Sequence, residues 1–302
     1  MAKENPNNIS SKRSIIAIFL LILTTILWGT SFIITKNITD NVPIFQYLGL
    51  RFLIAFLGFV PLFPRLKNLN KRIFLMGFIT GLLYFFGIAF QTYGLSGGTS
   101  AGKAGFITGL STLIVPFLAW LGFKKPIRIR IWFAVILSVV GMAFLLLEGE
   151  SGIIIGDILV LICAFFFAFY IVLNDKYVRL IDVYLYSIIQ VAVISASSFI
   201  CSLFFREPYD LLSYPPPFWA IMIYMGIAVM TLTILFQNWS QQYQGPTQTA
   251  IIFTLEPVFA VLFGFLIGNE ILTTFGWIGC GLILIAILIT VIKSNDIKEP
   301  EL

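Results

Sequence analysis

Phe90-Gln91-Thr92-Tyr93, a glycine-rich turn, Lys103 and Pro116 form one stretch of this chain, and Phe236-Gln237-Asn238-Trp239, Gly245-Pro246 and Glu256-Pro257 form another. Each begins as an apolar run carrying an amide and an aromatic. Each then breaks at a short loop and resumes as an apolar run with a proline inside. Phe90 and Phe236 are 146 residues apart, and Trp132 and Trp277, one apolar run further on, are 145 apart. A near-constant offset across several apolar runs marks a duplicated unit. In a chain this apolar, duplication points to a carrier that moves something across a membrane.

Composition narrows the class. The 302 residues are 59% hydrophobic and only 11% charged, so water is not the main solvent. The formal charge of +5 is small and sits in loops, which speaks of membrane orientation and not of nucleic acid. Histidine is absent, removing the commonest metal ligand and the usual proton shuttle near neutral pH. Cys163, Cys201 and Cys280 lie in separate apolar runs without C-x-x-C spacing, so neither a disulfide framework nor a zinc site is expected, and no cofactor is. Lys12-Arg13 precede an apolar run, as in a signal peptide, but the run continues through Trp28 to Ile34 with no small-residue cleavage site. It reads as a retained membrane helix.

A helical span needs about 20 apolar residues. The sequence predicts ten: 14–35, 44–64, 72–93, 101–122, 129–147, 154–173, 183–204, 217–238, 246–268 and 272–292. With a cytoplasmic N-terminus, fifteen basic residues fall on the inner side. The outer side has three, Lys36, Lys103 and Arg206, and Arg51 lies inside a span. That asymmetry predicts cytoplasmic tails at 1–13 and 293–302. The repeat runs through all spans. At an offset of 139, Trp28-Gly29 meets Phe167-Ala168 and Arg51 meets Gln190; at 145–146, spans three to five meet spans eight to ten. Five spans per unit is an odd number, so units 14–147 and 154–292 are predicted to be oppositely threaded. The expected fold is all-α and integral to the membrane: ten transmembrane helices as two inverted five-helix repeats around a central cavity, working by alternating access.

The chain resembles the drug/metabolite transporter superfamily in its ten-span EamA branch. The likeness rests on Trp28-Gly29-Thr30-Ser31-Phe32, Arg51-Phe52-Leu53-Ile54-Ala55, Ala104 to Leu110 with Pro116, Leu255-Glu256-Pro257 and Gly268-Asn269-Glu270. The family often ends its fourth span with Gly-Glu; here Gly122-Phe123-Lys124-Lys125 stands there, so only the second repeat keeps the acid. The resemblance implies movement of amino acids, other small metabolites or drugs across the cytoplasmic (inner) membrane, often outward.

Several residues are candidates for contact with the substrate. Arg51 lies roughly 12 Å deep and Glu256 roughly 15 Å deep at the helical rise. A charge at mid-span costs about 2.5–3.5 kcal/mol, so each needs a partner. The two either pair with each other, or Arg51 receives a substrate carboxylate while Glu256 takes a proton or an amine. Lys103, at the start of span four, either deepens an anion-attracting mouth or reaches to headgroups. Gln91, Gln237 and Asn238 must point away from lipid, to stitch helices together or to line the cavity. Trp28, followed by Thr30 and Ser31, is the aromatic candidate for the cavity; Tyr93 and Trp239 read as interface anchors. Pro116 and Pro257 deny a bond to the carbonyls of Thr112 and Phe253, marking movable helices. Ala101, Gly105 and Gly109 allow a second helix to approach closely.

An enzyme would need clustered acids, a His–Asp pair or an activated nucleophile, and none is present. A scaffold would need no duplication. Among transported solutes, a single carboxylate or amine fits best. An organic cation fits if Arg51 is locked, and a nucleotide-sugar would require more fixed cations. Small-molecule substrate and lipid are the expected partners, with proton coupling an option through Glu256. The residues set no oligomeric state.

Overall fold

A computed structural model describes residues 6–123, 129–146, 153–208, 214–269 and 273–291. Lys3, Lys124, Lys125, Arg128, Glu270, Lys293 and Lys298 lie outside them, with residues 1–5 of the expected N-terminal tail and all of the C-terminal one. Among the described residues thirteen α-helices follow one another: α1 Pro6–Thr39, α2 Ile44–Gly58, α3 Lys71–Ser96, α4 Ala101–Gly109, α5 Ser111–Phe123, α6 Ile129–Leu146, α7 Ile155–Val178, α8 Val183–Phe204, α9 Pro216–Ile223, α10 Thr233–Gln241, α11 Pro246–Phe253, α12 Glu256–Gly268 and α13 Thr274–Val291. No strand occurs among the described residues. Among the described residues, six helical runs are long and apolar enough to cross a membrane, with Ala101–Leu118 and Pro216–Gln241 each counted as one, or seven if α2 and the 3₁₀ stretch Val60–Asn68, bent by 76°, count as one span. The other expected spans, 129–147, 246–268 and 272–292, correspond to α6, α11 with α12, and α13.

Local chemistry explains where helices stop. Pro61 and Pro64 cannot continue an α-helical ladder, so α2 gives way to the 3₁₀ stretch well before residue 64. The Asn70 side chain accepts the Ile73 amide at 2.9 Å to start α3, and Asp182 accepts the amides of Tyr184 and Leu185 to start α8. The expected eighth span is not uniform. Between α9 and α10, Tyr224–Leu232 is wound as a π-helix.

Two spans expected to be continuous are broken. The fourth breaks at Leu110, ahead of Pro116, which stays inside α5. The amide of Leu110 turns back onto the Ile107 carbonyl at 3.1 Å, and the Thr112 hydroxyl donates to the Gly109 carbonyl at 2.7 Å, so the groups freed by the break find partners. The ninth breaks at Thr254-Leu255. Pro257 then occupies the first turn of α12, where its missing N–H leaves nothing unpaired. Leu110 and Leu255 are 145 residues apart.

The helices pack in exchanged pairs. α1 lies on α12 while α7 lies on α4 and α5; α3 lies on α7 while α1 lies on α10; α3 lies on α8 while α2 lies on the π stretch. The pairs α2–α8 and α6–α13 match like with like across the 139 and 145 offsets, and α4 on α12 is answered by α5 on α11. The α1–α2 and α7–α8 turns lie at opposite ends of the bundle. Gln244, just past α10, donates to Ser14 at the start of α1, and Arg179, just past α7, reaches the Gln242 and Gln244 carbonyls. At the far end, the Glu207 carboxylate accepts the amides of Phe45 and Gln46 in the first turn of α2.

The glycine row of α4 does what its spacing predicts. Gly105 faces Ala260, Gly109 faces Pro257 and Gly102 faces Val261, all on α12. Gly105→Ala would put a Cβ 2.5 Å from that of Ala260, whereas at Gly281 an added Cβ meets nothing within 4 Å. Overpacking of this kind costs roughly 1–3 kcal/mol. In a thermal unfolding series in detergent, Gly105→Ala is expected to lower the midpoint and Gly281→Ala to leave it in place.

Candidate functional site

The bundle encloses a cavity between the two helix breaks. Trp28 and Ser31 of α1, Arg51 of α2, Gln91 of α3, Gln237 of α10 and Glu256 of α12 line it. The rest of the wall is Tyr84, Ile88, Thr108, Ser111, Phe167, Tyr170, Ile171, Met230 and Phe253.

Twelve of these residues come in pairs at the repeat offsets. Trp28 and Phe167, and Ser31 and Tyr170, are 139 apart. Tyr84 and Met230, and Gln91 and Gln237, are 146 apart; Thr108 and Phe253, and Ser111 and Glu256, are 145 apart. One pair touches directly, the Tyr84 hydroxyl lying 3.9 Å from the Met230 sulfur. Corresponding helices therefore bring corresponding residues to one place.

Arg51 is 1% exposed and half-satisfied. Its Nη1 donates to the Tyr47 hydroxyl at 3.2 Å and to Thr35 Oγ1 at 3.4 Å, and these two oxygens are 2.9 Å apart. Tyr47 sits one turn before Arg51 on α2, so local helix spacing orients the guanidinium. Nε and Nη2 have no partner. Those two N–H groups lie on one edge of the guanidinium and form the fork that grips a carboxylate with two parallel bonds. Glu256 has no ion pair and no hydrogen bond among the described residues, so Arg51 and Glu256 face the same cavity without bonding to each other. Gln237 is fully buried with neither amide atom partnered. Gln91 donates to Thr108 at 3.0 Å. Trp28 packs on Phe253 at 4.9 Å between ring centroids and donates its indole N–H to Thr233.

Three candidates lie elsewhere. Thr30 bonds to the Tyr224 hydroxyl at 2.8 Å, because α1 turns that position toward the π stretch. Asn238 is one residue past Gln237, about 100° round the helix, and bonds to Asn174, Ser187 and Gln190. Lys103 pairs with Asp157 at 2.6 Å, and Asp157 also accepts from Thr99 at 3.0 Å. The lysine charge is thus balanced at the α4–α7 contact and does not face the cavity. Pro116 is outside the cavity wall, and Pro257 packs against Gly109 beside it.

An all-helical bundle with several membrane-length helices and a polar-tipped internal cavity defines a multi-pass membrane carrier. Comparison with known proteins agrees. The model of the EamA-like transporter family matches residues 15–147 and again 154–292. An uncharacterized transporter of Archaeoglobus fulgidus is 34% identical over 276 residues, covering 90% of this chain and 85% of that protein. The uncharacterized transporter YetK of Bacillus subtilis is 23% identical over 304 residues, again covering 90% and 85%. A protein of known crystal structure shares the fold with a TM-score of 0.69 at 18% identity, over 91% of this chain and 97% of that one. The chain belongs to the EamA-like transporter family and is a membrane transporter.

The Lys103–Asp157 pair is almost fully buried, so removing one partner strands a charge, at a cost of roughly 3–5 kcal/mol. Lys103→Met is expected to be strongly destabilised in detergent unfolding. Lys103→Met with Asp157→Asn is expected to recover most of the loss, since an asparagine keeps the bond to Thr99 without the charge.

Proposed function

We propose that this transporter moves an amino acid or a related carboxylate-bearing amine out of the cell through the cytoplasmic membrane, by alternating access. The carrying observation is that the Arg51 fork and both amide atoms of Gln237 are unpartnered in one cavity, which Glu256 shares without an ion pair among the described residues. The Arg51 fork takes the substrate carboxylate, Glu256 the ammonium, and Gln237 can donate to one and accept from the other. Trp28, Ser31 and Gln91 complete the polar side, and the aromatic wall receives the rest of the molecule.

The scaffold in this reading has ten spans in two inverted halves, 14–147 and 154–292, with cytoplasmic tails at 1–13 and 293–302. The exchanged helix contacts, the opposite placement of the α1–α2 and α7–α8 turns, the paired cavity residues and the doubled family match support it. The excess of basic residues on one side supports the orientation. Glu256 trades the ammonium for a proton when substrate leaves, which couples transport to a pH gradient. Movable helices flank the site at the breaks near Pro116 and Pro257. The chemistry in this reading is transport without catalysis.

A second reading, export of an organic cation, draws on the unpaired Glu256 within an aromatic wall. A nucleotide-sugar is disfavoured, because Arg51 is the one cation lining the cavity among the described residues.

Proteoliposome uptake of labelled amino acids, organic cations and nucleotide-sugars, with and without a pH gradient, decides among these. Amino acids are expected to be taken up. Arg51→Gln should raise KM by about 10- to 100-fold, the worth of a charge-assisted pair, in protein that remains monodisperse. Glu256→Gln should remove the response to the pH gradient. Uptake of organic cations alone, undiminished by Arg51→Gln, would transfer the assignment to the second reading.

A further inference from the structure

Asn174 of α7, Gln190 of α8 and Asn238 of α10 close a ring of amides just beyond the cavity. Gln190 Nε2 donates to Asn174 Oδ1 at 3.1 Å, Asn174 Nδ2 to Asn238 Oδ1 at 2.9 Å, and Asn238 Nδ2 to Gln190 Oε1 at 2.7 Å. Tyr186 donates to Asn174, Asn238 donates to Ser187, Asn174 donates to Gln241, and Gln190 donates to Thr80 of α3. All these side chains are 0–1% exposed. Four helices are tied together by neutral side chains alone.

Three features make this more than packing. The ring adjoins the cavity wall: Asn238 follows cavity-lining Gln237 on α10, and Asn174 follows Tyr170 and Ile171 by one turn on α7. Beyond it lies the C-terminal end of α7, which carries Lys176 and Arg179. Ser240 Oγ and Gln241 Nε2, further along α10, are buried without partners. They gain hydrogen bonds only when that end opens to water, which lowers the cost of opening. Finally, the ring has a counterpart at the other end of the bundle. Thr35, Tyr47 and Arg51 precede Asn174, Tyr186 and Gln190 by 139 residues each, with the same tyrosine between the same two positions. There no amide from a neighbouring helix closes the ring: Thr92, 146 residues before Asn238, spends its hydroxyl on the Ile88 carbonyl.

We propose that the Asn174–Gln190–Asn238 ring, with Tyr186 and Gln241, is the gate that shuts the cavity from the α7–α8 end. Its parting is the opening step of the transport cycle. Neutral amides suit that task. Each bond is worth little net once water can replace it, so the ring holds while dry and parts when wetted, without stranding a charge. The inference rests on the alternating-access reading above.

The test uses the full chain with Cys163, Cys201 and Cys280 replaced by serine and Ser240→Cys as reporter. Membrane-impermeant thiol reagent is applied to vesicles of either orientation. Ser240→Cys is expected to be protected, and adding Asn238→Leu, which removes several ring bonds, should raise its labelling at least about tenfold from the α7–α8 side only. Unchanged labelling in monodisperse protein, or a rise from the other side, overturns the gate. A second arm covers a variant that does not fold. Asn174→Cys with Gln241→Cys, joined by a short cleavable bis-thiol linker, should stop uptake of the amino-acid panel until the linker is cut; full uptake with the linker in place overturns the gate. If unlinked protein takes up none of the panel, the substrate reading fails instead, and the labelling arm, which needs no substrate, still decides the gate.

Discussion

A polar group inside an apolar bundle has no water to fall back on, so the protein itself must satisfy it. Most of this structure can be read as the discharge of that obligation. Asp157 takes the Lys103 charge, the Thr99 hydroxyl and the Ile154 amide. Glu207 takes two amides of α2 and the Ser202 hydroxyl. Threonines on α1, α3 and α5 return their hydroxyls to carbonyls one turn back. Against that background, the Arg51 fork, Glu256 and the Gln237 amide stand out because they are buried in one cavity and unspent. Intramembrane charge without a protein partner is what a carrier offers to its substrate.

The broken helices put this chemistry within reach. At Leu110 and at Thr254-Leu255 the helical ladder tightens into a single turn, with the Leu110 and Leu255 amides bonded three residues back, and Thr108, Ser111, Phe253 and Glu256 flank those breaks on the cavity wall. The α4–α12 contact that holds the breaks together is made of glycine against alanine and proline, with no long side chains between the backbones. The backbones approach closely there, and the helical ladders are interrupted beside that contact. The π-wound stretch opposite contributes Met230 to the same wall, and its widened turn is bonded through Thr231 to the Ala55 carbonyl of α2.

Much of this was legible in the sequence because a duplicated pattern survives as arithmetic. Arg51, Glu256, Gln91, Gln237, Trp28 and Ser31 were singled out and line the cavity. Applying the same offsets to them also names residues that were passed over: Trp28 leads to Phe167, Ser31 to Tyr170, and Glu256 to Ser111. Tyr84 and Met230 carry no signal of their own, being ordinary members of apolar runs, and Thr108 enters only as part of the Ala104 to Leu110 stretch. Lys103 was misjudged because its partner is 54 residues away in another apolar run, and no local spacing reveals a contact between α4 and α7. Thr30 and Asn238 fell to rotation, since a neighbour of a cavity residue points about 100° away from it. The prolines predict kinks at 116 and 257, within continuous spans. The fourth span is instead interrupted at Leu110, six residues before Pro116, beside the place where Gly109 meets Pro257.

On the inverted-repeat reading, the two halves differ where the chemistry demands it. Strict symmetry would place a second arginine at 190 and a second glutamate at 111. Two like charges would then share a poorly solvated cavity, each raising the cost of burying the other. Arg51 is instead matched by neutral Gln190, and Glu256 by neutral Ser111. One half supplies the cation and the other the acid, separated across the cavity and not joined to each other. The position that lost its charge was free to take another task, and Gln190 spends its amide on Asn174, Asn238 and Thr80. Duplication supplied equivalent positions, and the expense of burying like charges together is a physical reason for them to diverge into a binding group on one side and a closure on the other.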